Sequence, residues 1–330
     1  MQKLLTIVVP VYKVEPYINK CLDSCVLADE KLMSQLEVII VNDGTPDRSA
    51  EMSREYVRRY PQTFRQIDKE NGGHGSAWNV GLKEATGKYL RFLDSDDWLT
   101  NLDKLMEKLA ETDADLIFTH RIDVYQDKGE SKLLKNFGTY DKILPIQYIN
   151  QFDFADHIGT CNFWLTTYKT SLLQVHYPLF MEHVRYDDNI LFTLPLVCAK
   201  NYIVYDFPVY NYLLGREGQS VDEKQVKLHL SERVKTYQYA YKKTIEIFGD
   251  GPLPRTVLHS FTGQATLLMD LCSRYSYKQC KLIRKFVPEY IPTDFDEFKK
   301  SKVYRRYKAL PLFAFYLMQQ FRLLLNQIRK

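Results

Sequence analysis

The sequence predicts an α/β fold: a mostly parallel sheet flanked by helices, with a helical C-terminal extension. Two observations carry this. Apolar runs of strand length alternate with helix-patterned stretches, joined by short connections. In addition, the unusual polar clusters Pro10–Tyr12, Asn42–Asp43, Asn71–Gly75 and Asp94–Asp97 each fall at the end of such a run. Open α/β sheets form their ligand crevice at those carboxyl ends.

Leu4–Pro10 is a continuous apolar run ended by Pro, as for a strand buried on both faces. Tyr17, Ile18, Cys21, Leu22 and Cys25 recur at helical spacing across Pro16–Leu27. Leu36–Asn42 is a second buried strand, and Asp43-Gly44 turns the chain. Asp47 or Ser49 is placed to cap a helix that runs to Arg59. Phe64–Ile67 is a weaker third strand. The Asn71–Gly75 turn precedes a helix through Ala85, Gly87 ends it, and Lys88–Leu93 is a fourth strand. Leu102–Ala110 reads as helix and Asp115–Thr119 as a fifth strand. Residues 121–160 are less regular, Cys161–Tyr212 returns to short strands and a helix, and the pattern is helical from about Lys224. The expected division is therefore 1–222 and 223–330.

With 45 Lys plus Arg against 41 Asp plus Glu, the net charge of +4 gives no argument for nucleic-acid binding. An apolar fraction of 45% supports a sizeable core. The 24 Tyr and 18 Phe suit sugar or acceptor clefts, although most such rings simply fill cores. Cys21, Cys25, Cys161, Cys198, Cys272 and Cys280 form no zinc-type spacing and read as buried thiols of a reducing compartment. The N-terminal apolar run has no cleavage-site pattern, and no run approaches the ~20 residues that span a bilayer. A cytoplasmic location is expected.

Asp94, Asp96 and Asp97 leave a buried strand together, which is costly unless a cation neutralises them. An EF-hand would need a ligand and a Gly where Trp98 and Leu99 stand, so that reading fails. A solvated acidic loop does not usually follow a buried strand. A metal–diphosphate site remains, with Mn²⁺ or Mg²⁺ on oxygen ligands. The Gly-rich turn is neither a Walker loop nor a dinucleotide fingerprint, since Trp78 stands where a third Gly belongs. It suits close backbone approach to an anionic substrate, or is a plain turn. His74 on that turn is read as a substrate hydrogen-bonder rather than a metal ligand, with plain exposure as the alternative. Residues 304–330 combine Arg305, Arg306 and Lys308 with apolar runs and fit an amphipathic helix on an anionic membrane surface. A helix docked on the chain's own core, or a homodimer interface, fits the same pattern.

Three segments, VVPVYKVEPYINKCLDS, VIIVNDGTPDRS and NGGHGSAWNVGLKEATGKYLRFLDSDDWL, together resemble the family 2 glycosyltransferases in order and spacing. Weaker likeness continues through Tyr186–Leu191 and Tyr210–Val221. The resemblance implies a GT-A fold, a nucleotide-diphosphate-sugar donor and inversion at the anomeric centre. It implies that Pro10, Val11, Tyr12 and Glu15 border the nucleotide and that Asp43 bonds a uracil-type base. It places Asn71, Gly72 and Gly75 near ribose and diphosphate, and Asp94 with Ser95 near ribose or sugar. Asp96 would hold the metal, Asp188 would be the general base, and Arg216, Gln219 and Ser220 would close over the diphosphate. Without the upstream motifs, Asp187-Asp188 would read as a helix cap pair. Lys13 replaces a usual Asn, and Trp78 a usual Arg, which would put a stacking surface near the donor.

The function expected is metal-dependent, inverting transfer of a hexose or N-acetylhexosamine from a UDP-sugar to an acceptor hydroxyl. The acceptor expected is a lipid-linked surface glycan, with a glycosylated adhesin second. A sugar-phosphate nucleotidyltransferase would need a Gly-rich, Arg- and Lys-containing loop where Val11–Glu15 stands. A non-catalytic partner subunit would be expected to lack the metal or base carboxylates, and both are present.

Overall fold

The computed structural model describes residues 3–134, 140–146, 162–216, 218–249, 253–275 and scattered positions beyond. The first half alternates strand and helix as the apolar runs require. It comprises β1 (Leu5–Val11), α1 (Ile18–Asp23), α2 (Glu30–Gln35), β2 (Leu36–Asp43), α3 (Ser49–Arg59), β3 (Phe64–Lys69), α4 (His74–Glu84) and β4 (Tyr89–Phe92). Then come β5 (Trp98–Leu99), α5 (Leu102–Ala110), β6 (Leu116–Tyr125), β7 (Glu130–Leu134), β8 (Tyr140–Pro145), β9 (Thr166–Lys169) and α6 (Thr170–Gln174). A 3-10 turn (Asp187–Phe192), α7 (Leu194–Cys198) and β10 (Asn201–Leu214) follow. The chain continues with α8 (Glu223–Leu228), α9 (Leu230–Phe248) and α10 (Arg255–Tyr275).

The strands form one sheet in the order β3-β2-β1-β4-β9-β6-β10-β5, with β7 on β6 and β8 on β10. β3, β2, β1 and β4 are parallel, and every residue of β1 and β2 is buried, as covering helices on both faces demand. Beyond β4 the sheet is mixed: β9 lies antiparallel between β4 and β6, while β10 runs parallel to β6. The chain moves from β1 to β2 on one side and returns through β4 on the other. That makes the β1/β4 boundary a topological switch point, and the ligand crevice belongs at its carboxyl end.

Several elements depart from the expected pattern. α2 has no fully buried residue, so no apolar stripe announces it; Asp29 starts it by accepting from the Leu32 amide at 2.9 Å. Asp47 lies just before α3, where its Oδ1 accepts from the Ser49 amide and hydroxyl at 3.1 and 2.6 Å. The N-cap itself is Arg48, with no side-chain bond. The stretch that looked irregular after Arg121 continues β6 to Tyr125 and turns back as β7. Cys161, Cys280 and most of 304–330 lie outside the described residues. Of that last segment, Gln320 Nε2 donates to the Arg274 carbonyl at 2.8 Å, and Tyr277 meets the rings of Phe313 and Tyr316. Phe313 stays 60% exposed and Leu317 49% exposed. Among the described residues no helix is long and apolar enough to cross a membrane.

Two contacts fix α4 on the sheet. A Cβ at Gly81 would fall 2.1 Å from Val8 Cγ1, so only glycine lets the helix sit this close to β1. Trp78, expected to face a donor, is instead fully buried. It stacks on Phe92 at 4.4 Å, with Phe163 and Phe180 against its edges. The reason is position: Trp78 is on the α4 face that covers β4. Trp78→Ala should therefore destabilise the fold by about 3–5 kcal/mol. Urea unfolding measures it, and a loss under about 1 kcal/mol would place the ring outside the core.

Candidate active site

The acidic turn is clamped before it can do chemistry. β5 pairs with β10, Leu99 N donates to Ser24 Oγ at 3.0 Å, and Thr100 N to the Val209 carbonyl at 2.8 Å. Asp97, 1% exposed, accepts from Tyr210 OH at 2.6 Å and from the Leu213 amide at 2.8 Å. Burial, then Asp96 and Asp94, push its carboxyl well above the usual range. Asp97 is thus an anchor, leaving Asp94 and Asp96 for a ligand. Oxygens of Asp94, Asp96 and Asp97 lie within 4.8 Å of one another. Burial first, and then Asp94, raise Asp96 as well. Its Oδ2 is met by Arg216 Nε. Carboxylate oxygens crowded in this way, two of them on partly exposed groups, could hold a hard divalent cation. Ser95 is buried between Asp94 and Asp96.

On the β1–β2 side, Pro10 and Val11 are buried in β1, so the loop beyond them provides the open surface. Tyr12 is 43% exposed. Lys13 adopts φ 56, the left-handed region that Asn tolerates better than Lys, which accounts for the Asn the resemblance leads one to expect there. Its amide is held by Thr45 Oγ1 at 2.8 Å, and Glu15 lies near the Asp47–Arg48 turn, accepting from the Arg48 amide at 3.3 Å. The Asp43 carboxylate, 4% exposed, takes Lys69 Nζ at 2.7 Å, the Gly72 amide at 2.9 Å and the Gly73 amide at 2.8 Å. Asn71 Nδ2 donates to the Asp43 carbonyl at 2.9 Å. Asp43 therefore shapes the Gly-rich turn directly. Gly75 meets the chain's own backbone: a Cβ there would lie 2.2 Å from the Met181 carbonyl oxygen.

That contact brings the Tyr186–Leu191 segment to the turn, and His74 bridges the two. Its Nδ1 lies 3.0 Å from Asp187 Oδ2 and its Nε2 3.0 Å from Asp94 Oδ1. Both ring nitrogens are committed to carboxylates, which corrects the expectation of a substrate bond. Burial alone would lower its pKa, but Asp187 and Asp94 carry it well above the ordinary value. Asp188 is different. Among the described residues no donor bonds its carboxylate, and burial, reinforced by Asp187, pushes its pKa up to about 7. Both carboxylates stand in the first turn of the 3-10 element, which has Tyr186 at its N-cap and no side-chain cap bond there.

The late loop folds over this group. Gln219 accepts from the Gly215 amide at 3.0 Å and donates to the Leu213 carbonyl, so both ends of its amide shape the loop. Ser220 is exposed, and its carbonyl accepts from Tyr186 OH at 2.8 Å. The structure thus gathers Tyr12, Asp43, Asn71, Gly72, Asp94, Asp96, Asp188 and Arg216 around the carboxyl ends of β1, β2 and β4. Lys69 and Tyr210 were missed as organisers. The only available signal for Lys69 was a cation two residues before the Gly-rich turn.

The family profile Glycosyl transferase family 2 matches residues 6–175, and the chain belongs to that family. It is 40% identical over 119 residues to glycosyltransferase EpsJ of Bacillus subtilis, covering 36% of this chain and 33% of that protein. Matches span 33%, 63% and 25% of the first three curated relatives, under two thirds of their lengths. Among solved structures, Staphylococcus aureus TarS in complex with UDP-GlcNAc aligns with TM-score 0.55 at 18% identity, over 93% of this chain and 92% of that one. The mannosyltransferase PcManGT from Pyrobaculum calidifontis, in complex with GDP-Man and Mn²⁺, aligns with TM-score 0.53 at 16% identity, over 98% and 87%. The fold is therefore of the GT-A type.

The His74 bridge should be measurable. A double-mutant cycle of His74→Ala with Asp187→Asn should give a coupling of about 1–3 kcal/mol in urea unfolding, because either single change strands a polar group. Strict additivity would show that the bridge is absent in solution.

Proposed function

We propose that the chain is a metal-dependent, inverting glycosyltransferase moving a hexose or N-acetylhexosamine from a UDP-sugar to an acceptor hydroxyl. The observation that supports this reading is Asp188: a carboxylate with no donor bonded to it among the described residues, its pKa pushed up to about 7 by burial and Asp187, and near Asp94 of the acidic turn. A general base works best with a pKa near the operating pH. The Asp188 carboxylate takes the acceptor proton as the acceptor oxygen attacks the anomeric carbon. The bond from that carbon to the diphosphate oxygen breaks, and UDP leaves with the electron pair. Asp96 would hold Mn²⁺ or Mg²⁺, and the bound ion supplies charge neutralisation for the departing diphosphate. Arg216, now on Asp96, would turn its guanidinium to that diphosphate, and the 215–220 loop would exclude water. Tyr12 and the Asp43–Gly72 turn would receive the nucleotide, with Asp94 at the ribose or sugar.

The UDP-GlcNAc bound to TarS and the Mn²⁺ bound to PcManGT support donor and metal of this kind. The acceptor we favour is a lipid-linked surface glycan, approached from the cytoplasmic face of the membrane through 304–330. Residues 1–222 would form the catalytic domain and 223–330 the acceptor or oligomer surface.

Asp188→Asn should keep UDP binding and lose transfer by about 10²–10⁴-fold. Retained transfer removes it as the base. Asp96→Ala should abolish metal-dependent UDP binding, read by calorimetry with and without Mn²⁺; undiminished binding in excess chelator would sink the metal. Because only ionised Asp188 accepts a proton, kcat should fall as pH drops through about 7 and level off above it. A screen of UDP-sugars for hydrolysis supplies the donor for these assays.

A further inference from the structure

The segment that carries Asp188 is held along its length by α9, which lies beyond the region the family profile matches. Tyr239 OH donates to the Leu179 carbonyl at 2.8 Å, and Glu232 Oε2 accepts from the Arg185 amide at 2.9 Å. Asn189 Nδ2 donates to Thr236 Oγ1 at 2.8 Å, a buried bond. The Thr193 and Thr244 hydroxyls meet at 2.9 Å. These contacts bracket Asp187-Asp188 from both sides. Between them the Arg233 guanidinium lies 4.4 Å from the ring centroid of Tyr186. Tyr186 itself stands in the left-handed region at φ 63, a conformation a bulky residue holds only when its surroundings impose it.

The charges around Asp188 make Arg233 significant. Facing it are Asp187 on its own turn, Asp94 after β4, His74 on α4, Arg233 on α9 and the Tyr186 hydroxyl. Two are carboxylates that oppose its ionisation. His74 has both nitrogens on Asp187 and Asp94. Glu232, the carboxylate beside Arg233, is engaged by His229 at 2.7 Å and by the Arg185 amide. Among the described residues Arg233 forms no ion pair with a carboxylate.

We propose that Arg233 is a positioning residue for Asp188: stacked on Tyr186 between the Glu232 and Thr236 anchors, its guanidinium offsets the carboxylates facing Asp188 and holds the turn that aims it at the acceptor. The inference rests on Asp188 being the base. α9 thus completes the site from outside the family's matched core.

The test uses the full chain and a readout that needs no substrate. The Asp188 carboxyl is followed by ¹³C NMR through a pH titration, its signal identified by its loss in Asp188→Asn. Arg233→Met should raise its midpoint by about half a pH unit or more, and Arg233→Lys should restore it. Thr236→Val should leave the midpoint in place but speed amide exchange at residues 187–190. An Asp188 midpoint unmoved by Arg233→Met overturns the proposal. If Arg233→Met does not fold, Arg233→Gln carries the same expectation and the same overturning result. With a donor in hand, the acid limb of the kcat profile should follow the midpoint while KM for the donor stays within about twofold. If Asp188→Asn retains transfer, the base assignment fails; the titration then still decides whether Arg233 governs the charge of Asp188.

Discussion

One imidazole ties the two halves of this site together. His74 joins Asp94, which follows β4, to Asp187, which lies 113 residues after His74 in sequence. Each carboxylate raises the pKa of the ring, and the ring gives each carboxylate a hydrogen-bonding partner. The remaining geometry depends on that closure. It brings the Gly-rich turn against Met181, and it leaves Asp188 as the carboxylate of the pair with no donor bonded to it among the described residues.

The same economy governs the acidic turn, where three neighbouring carboxylates separate into three environments. Asp97 is fixed by Tyr210 and Leu213, Asp96 meets Arg216, and Asp94 meets His74. Each answer to the cost of burial differs in what it leaves available. The Asp97 bonds are internal and permanent. The Asp96 partner, Arg216, is instead carried on the loop after β10 and is partly exposed.

The parallel half of the sheet was legible because β1 and β2 are buried on both faces and therefore read as unbroken apolar runs. The site's position followed from the ends of those runs. What escaped were pairings between distant segments. β5 is two residues long and exists only because β10 is beside it, and α2 has no buried stripe to betray it. Trp78 was misplaced because a motif position indicates a neighbourhood and not which face of a helix a ring occupies. His74 was misread for a similar reason: its spacing from Asp94 was visible, but its partner at 187 was not. Asp188 could be named from a resemblance; the helix that holds it could not.

β10 contributes a last consequence. Its residues pair with β6, β8 and β5, and the same strand supplies both groups that hold Asp97. The acidic turn is therefore tied directly to the central sheet through Asp97. The late loop begins where that strand ends, at Leu214. The strand that anchors Asp97 thus passes within two residues into the loop that brings Arg216 to Asp96.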